Sequence, residues 1–147
     1  MKNKKSISLA TVVDIQTLEC LLYLVVNKSN KQIVSFLNKK KVSQSSIDNI
    51  LENLEEDNEK LDGFFLRTPN GLRFLFLKEY KGSWDDLDVL SHELFHLVDF
   101  EANYRMFEKE PEFKAYLHGA LFKTIRILLH KEVDKLNNMA CKIKKKK

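Results

Sequence analysis

Two histidines four residues apart, in the run His92-Glu93-Leu94-Phe95-His96, commit this part of the chain to a helix if their side chains are to act together. Residues at i and i+4 lie one turn apart on one helical face, so both imidazoles reach a common point. HExxH is the spacing that holds a zinc ion beside a base. Glu93 then stands next to the water such an ion activates, placed to take its proton when the water attacks a carbonyl. The flanks suit a helix with one side in a core, because between Val89 and Val98 only His92, Glu93 and His96 carry acid or base. The alternative is that both are ordinary, partly buried histidines with Glu93 as their partner.

A chain of 147 residues suits one domain with a real core and shows no internal repeat. Cys20 and Cys141 stand far apart without CxxC spacing, which argues for a reducing compartment and against a disulfide scaffold or four-cysteine zinc site. The basic start, Met1 to Lys5, resembles a signal-peptide n-region. Asp14, Gln16 and Glu19 interrupt the residues after it, and the apolar run from Leu21 to Val26 is too short for an h-region. No stretch approaches a membrane span. The expectation is a protein that stays where it is made, in the cytoplasm.

The net charge of +4 is concentrated at the ends. Lys2, Lys4, Lys5, Lys142 and Lys144 to Lys147 lie in acid-free tails, leaving 17 basic residues against 21 acidic ones in the body. That acidic body weighs against nucleic-acid binding except through the tails, whose ordinary meaning is a solvated end. The domain plan is a basic tail over 1–8, a single domain over 9–138 and a Lys-rich tail over 139–147.

The Val-, Ile- and Leu-rich stretch from Thr11 to Val26 reads as one or two strands, and Lys31 to Lys39 as a short helix. Ser45 or Ser46 with Asp48 signals the start of an acidic helix ending near Asp62-Gly63. Two apolar runs, Gly63 to Thr68 and Leu72 to Tyr80, flank Pro69-Asn70-Gly71 and read as a β-hairpin. Ser83 caps the helix that carries HELFH, with Asp85, Asp86 and Asp88 near its positive end. That helix runs to about Phe107 and must end before Pro111. A last helix from about Glu112 to Leu136 bears Leu117, Ala120, Leu121, Ile125 and Leu128 on a broad face.

A catalytic zinc takes three protein ligands and leaves a fourth position open. The HExxHxxGxxH arrangement is excluded by identity, with Asp99 in place of its glycine and Ala102 in place of its third histidine. Asp99 shares the histidine face but lies about 10 Å along the axis from His92, at roughly 1.5 Å per residue. Accepting the spare N–H of a ligand imidazole suits it better, the alternative being a surface aspartate without a role. The third ligand read from the chain is Glu112, in the first turn of the next helix, with Glu110, Glu108 and His118 as competitors and a plain N-terminal acid after Pro111 as the alternative. Glu112, Tyr116 and Gly119 share a face, and Gly119 lets two helix backbones approach. Tyr116 would donate to a developing oxyanion; as a core tyrosine it would have no such part. His118 points away from that face, and His130 lies near the end of the helix.

Leu90 to Phe100, with its HExxHxVDF pattern, followed by Glu112-Phe-Lys-Ala-Tyr-Leu-His-Gly119, with its ExxAYLxG pattern, resembles the small zincin-type proteins of tailed bacteriophages, gluzincin in ligand pattern. The resemblance covers about Trp84 to Leu129 and leaves the first sixty residues unmatched. It implies an α+β, zincin-like minimal domain, a small antiparallel or mixed sheet packed on the HExxH helix and a second C-terminal helix. It also implies Zn2+ held by His92, His96 and Glu112, with Glu93 as base. The activity to expect is peptide or amide hydrolysis, with an edge of the Leu72 to Tyr80 strand holding an extended peptide substrate. The competing expectation is a non-catalytic component of a phage particle or other larger viral assembly.

Overall fold

The computed structural model describes residues 5–56, 62–107 and 109–144. Lys2 and Lys4, the acidic Asp57 and Glu59, the candidate ligand Glu108 and Lys145 to Lys147 lie outside the described residues. The chain is α+β, and its described elements are a mixed four-stranded sheet and four α-helices. It divides into two compact units, one of residues 8–78 and one formed by residues up to Ile7 with those from Glu79 onward.

In the first unit β1 (Leu9–Ile15) and β2 (Cys20–Val26) pair antiparallel, Leu9 opposite Val26 and Ile15 opposite Cys20. Their β-branched residues suit a pleated, half-buried surface. A single 3-10 turn, Gln16–Leu18, joins them and closes on Glu19 in the left-handed region at φ 48°. Helix α1 (Asn30–Lys39) starts at a capping box, Gln32 N donating to Ser29 Oγ and Ser29 N to Gln32 Oε1. Helix α2 (Gln44–Glu56) begins slightly earlier than Ser45 or Ser46 suggests. Ser43 supplies the cap by accepting from Ser46 N at 3.4 Å, while Ser46 is buried with its hydroxyl 3.3 Å from that of Thr68.

The hairpin lies where the turn residues put it, as β3 (Gly63–Arg67) and β4 (Arg73–Leu77). Thr68 closes the turn through its backbone to Leu72 O and Gly71 N, and Gly71 adopts φ +84°. Strand β4 is not an edge. The order β1-β2-β4-β3 places it between β3 and β2, and it pairs parallel with β2, Tyr23 opposite Phe74 and Val26 opposite Leu77. Both of its backbone rims are therefore occupied, which overturns the expectation that it receives a peptide. Parallel pairing needs a long crossover, and α1 and α2 supply it. These helices bury Ile33, Leu37, Ile47, Ile50 and Leu54 against Val25 and Phe74 on one sheet face.

In the second unit the segment before α3 (Trp84–Tyr104) is fixed by Ile7 N to Tyr80 O at 3.0 Å and Tyr80 N to Ser6 Oγ at 2.9 Å. Ser83 caps α3 as its sequence position indicates, accepting from Asp86 N. Asp86 in turn accepts from Ser83 N at 2.9 Å and Lys81 N at 2.7 Å. Gly82, at φ +77°, lies under His130, whose Cε1 would be 3.5 Å from an added Cβ. Helix α3 stops at Tyr104, short of Phe107, because Met106 enters the left-handed region at φ 63° and Phe107 N bonds back to Ala102 O. Helix α4 (Pro111–Lys144) then runs about 50 Å at 1.5 Å per residue. It continues past Leu136 into the lysine-rich end, so Lys142 to Lys144 are helical. Its buried row is Leu117, Leu121, Ile125, Leu129 and Val133, and that of α3 is Leu90, Leu94, Leu97, Val98 and Ala102. Among the described residues no helix is long and apolar enough to cross a membrane.

Phe74 is fully buried at the centre of the first core. Phe74→Ala is expected to cost about 3 to 5 kcal/mol, read as a lower urea midpoint. Glu52→Ala, on the exposed side of α2, should change stability by less than about 0.5 kcal/mol. In the second unit burial, reinforced by the charge of Asp86 and opposed by Arg126, pushes the Tyr80 phenol up from 10.0 to about 12. The folded state thus holds this proton more tightly than the unfolded chain. The stability it contributes is full below pH 10 and disappears as pH rises through 12. Tyr80→Phe should flatten the loss of stability across that interval in alkaline titrations followed by circular dichroism.

Candidate metal centre

The buried row of α3 determines where the motif points. Leu90, Leu94, Leu97 and Val98 occupy the inner face, and His92 and His96 fall on the outer one. Their rings meet edge to face, centroids 4.5 Å apart at 87°, with the two Nε2 atoms 2.9 Å from each other. Two donors at about 2.0 to 2.1 Å from a tetrahedral zinc stand roughly 3.3 Å apart. The pair thus needs an adjustment of a few tenths of an ångström to share an ion, and it offers the same nitrogen from each ring. Phe95 projects beside it, 53% exposed, its ring centroid 6.2 Å from that of His96.

Glu93 is placed differently from its neighbours. It is 7% exposed, on the flank of the inner face, while both histidines are more open to solvent. Asp99 stands on the outer side of α3 and gives its carboxylate to Lys114 of α4, Nζ to Oδ1 at 2.6 Å, rather than to an imidazole.

Glu112, in the first turn of α4, and Tyr116, one turn on, are both exposed, Tyr116 at 70%. Gly119 completes that face, but a Cβ added there meets nothing within 4 Å. It does not serve the close helix approach read from the sequence. The face of α4 that meets α3 is instead the one carrying Lys114, Leu117, His118 and Leu121. His118 Nε2 lies 2.9 Å from the carbonyl oxygen of Ser91 and 3.4 Å from its hydroxyl, and its ring stacks on Phe122 at 6.3 Å and 12°. The apolar row Leu117, Leu121, Ile125 is the signal for this, since His118 flanks it, but the partner on α3 depends on how the helices slide against each other.

Glu110, the other competitor among the described residues, precedes α4 and is exposed, its carbonyl accepting from Lys114 N at 3.0 Å. His130 packs edge to face on Tyr80, centroids 5.9 Å apart. Among the described residues no group of three or more histidine, cysteine, aspartate or glutamate side chains is gathered around one point. The two imidazole Nε2 atoms lie within a few tenths of an ångström of the separation two zinc donors take, and Glu112 is not brought to them in this arrangement.

The Lys114–Asp99 pair is partly solvated, its side chains 22% and 43% exposed. Lys114→Met should therefore lower stability by less than about 1 kcal/mol, with the difference shrinking in molar salt in melting experiments.

No family model matches the chain, and no curated protein and no solved structure is found to be similar to it.

Proposed function

We propose that this chain is a zinc-dependent metallopeptidase with a zincin-like active-site helix, in which His92 and His96 bind the ion through Nε2 and Glu93 is the general base, with Glu112, which this arrangement does not bring to the pair, as the third ligand read from the sequence. The observation that carries the reading is the convergence of the two Nε2 atoms, 2.9 Å apart on the outer face of the helix. A bound zinc supplies Lewis acidity, polarising a carbonyl and making water a better nucleophile at neutral pH. Glu93 takes the proton of the attacking water as the new C–O bond forms. It then returns that proton to the leaving nitrogen as the C–N bond breaks, so that a carboxylic acid and an amine result. Tyr116, one turn beyond Glu112, offers an O–H to the developing oxyanion. The substrate is a peptide or protein segment.

A second reading, a metal-binding component of a larger viral assembly without turnover, draws on one observation. Glu93 is withdrawn to the flank of the buried face while the two histidines stand on the outer side.

Elemental analysis and peptide-library digestion of the full chain separate the two. On the first reading the wild type carries one zinc per chain and cleaves, His96→Ala loses the metal, and Glu93→Gln keeps it and loses at least about 100-fold in rate at an unchanged melting temperature. Zinc without cleavage of any library peptide supports the second reading. Loss of metal in His96→Ala but not in Glu112→Ala removes Glu112 from the ligand set.

A further inference from the structure

Polar contacts between described residues of α3 and α4 fall on either side of the histidine pair. One, His118 to Ser91 at 2.9 Å, grips the residue immediately before His92. The other, Lys114 to Asp99 at 2.6 Å, grips the third residue after His96. Ser91 C=O belongs to the same planar peptide group as His92 N, so a donor on that oxygen fixes the plane from which His92 departs. A carbonyl has two lone pairs, so this bond adds to the helical ladder without displacing it.

We infer that His118 is a positioning residue for the metal centre, holding the His92 peptide and setting the register of α4 against the HExxH helix. The inference rests on the reading of His92 and His96 as metal ligands. In this bond Nε2 donates to the Ser91 carbonyl, and among the described residues His118 is not gathered with His92 and His96 around one point, which separates it from the pair although its residue type made it a competitor for the ligand role. Stacking on Phe122 holds the ring in the orientation the bond needs. Contacts that orient ligands from one shell out are worth about 10- to 100-fold in metal affinity.

The test is a titration of the metal-free full chain with Zn2+ and with Co2+, whose visible absorption reports coordination geometry, on the wild type, His96→Ala, His118→Ala and His118→Gln. The glutamine amide can place an N–H where the imidazole Nε2–H lies. His118→Phe, which keeps the stacking and loses the donor, replaces the alanine variant if that one does not fold. The expected result is about tenfold weaker binding and an altered Co2+ band in His118→Ala, both restored in His118→Gln. Folded His118→Ala with wild-type affinity and spectrum overturns the inference and leaves the metal centre standing. Loss of binding as complete as in His96→Ala, unrescued by glutamine, makes His118 a ligand and also overturns it. No binding by the wild type, or equal binding by His96→Ala, refutes the metal centre itself and the inference with it.

Discussion

The buried apolar rows of α3 and α4, two helices packed on each other, decide what the candidate site can be. Leu90, Leu94, Leu97, Val98 and Ala102 on one helix, and Leu117, Leu121, Ile125, Leu129 and Val133 on the other, are all buried. Burying such side chains is worth about 1.5 to 3 kcal/mol each for the larger ones, which far exceeds what any exposed polar contact on these helices contributes. Once the leucines turn inward, the 3.6-residue period leaves no freedom to the rest. His92 and His96 each follow a core leucine by two residues, roughly 200° around the helix, and so emerge on the far side. Glu93, one residue before Leu94 and three after Leu90, is drawn to the flank.

Apolar seams of this kind specify a face better than a register. A slide of one turn, about 5.4 Å, returns leucine to leucine at modest loss. Directional contacts break that degeneracy, because a hydrogen bond or ion pair is lost within a fraction of that distance. Ser91 with His118 and Asp99 with Lys114 are such contacts, and they lie on both sides of the motif. Their small energies are compatible with a large consequence, since they choose among packings that the leucines leave close together. At the other end of α3, the Ser83–Asp86 capping box fixes where the helix begins, and Met106 in the left-handed region fixes where it stops.

The features legible in the chain are the local ones. The Ser83 cap, the hairpin around Asn70-Gly71 and the outward histidine pair each arise from residues within one or two turns of one another. The central place of β4 is not legible, because it depends on parallel pairing with β2, far back along the chain and reached through two helices. An apolar strand reads the same whether its rims are free or paired. Periodicity places Asp99 on the histidine face, but its partner lies on the next helix and is chosen by the seam. The same periodicity groups Glu112, Tyr116 and Gly119; that their face opens to solvent depends on which side of α4 the leucines claim. The helical state of Lys142 to Lys144 is hidden by charge, since a lysine run reads as a solvated tail although lysine is a good helix former.

The position of Glu93 bears on which function the motif serves. At 7% exposure beside a leucine seam Glu93 is largely out of water, and a carboxylate in such a place is kept only with polar partners. The helix dipole does not favour an acid at this point: the positive end of α3 already has Asp85 and Asp86, and Glu93 lies mid-helix. Hydrolysis does require one, since a base one residue from the imidazole pair is what activates the water. A scaffold that only bound metal would need His92 and His96 and would be indifferent to the residue between them. On the proposed hydrolytic reading the exposed pair holds the metal and the acid beside it serves the reaction.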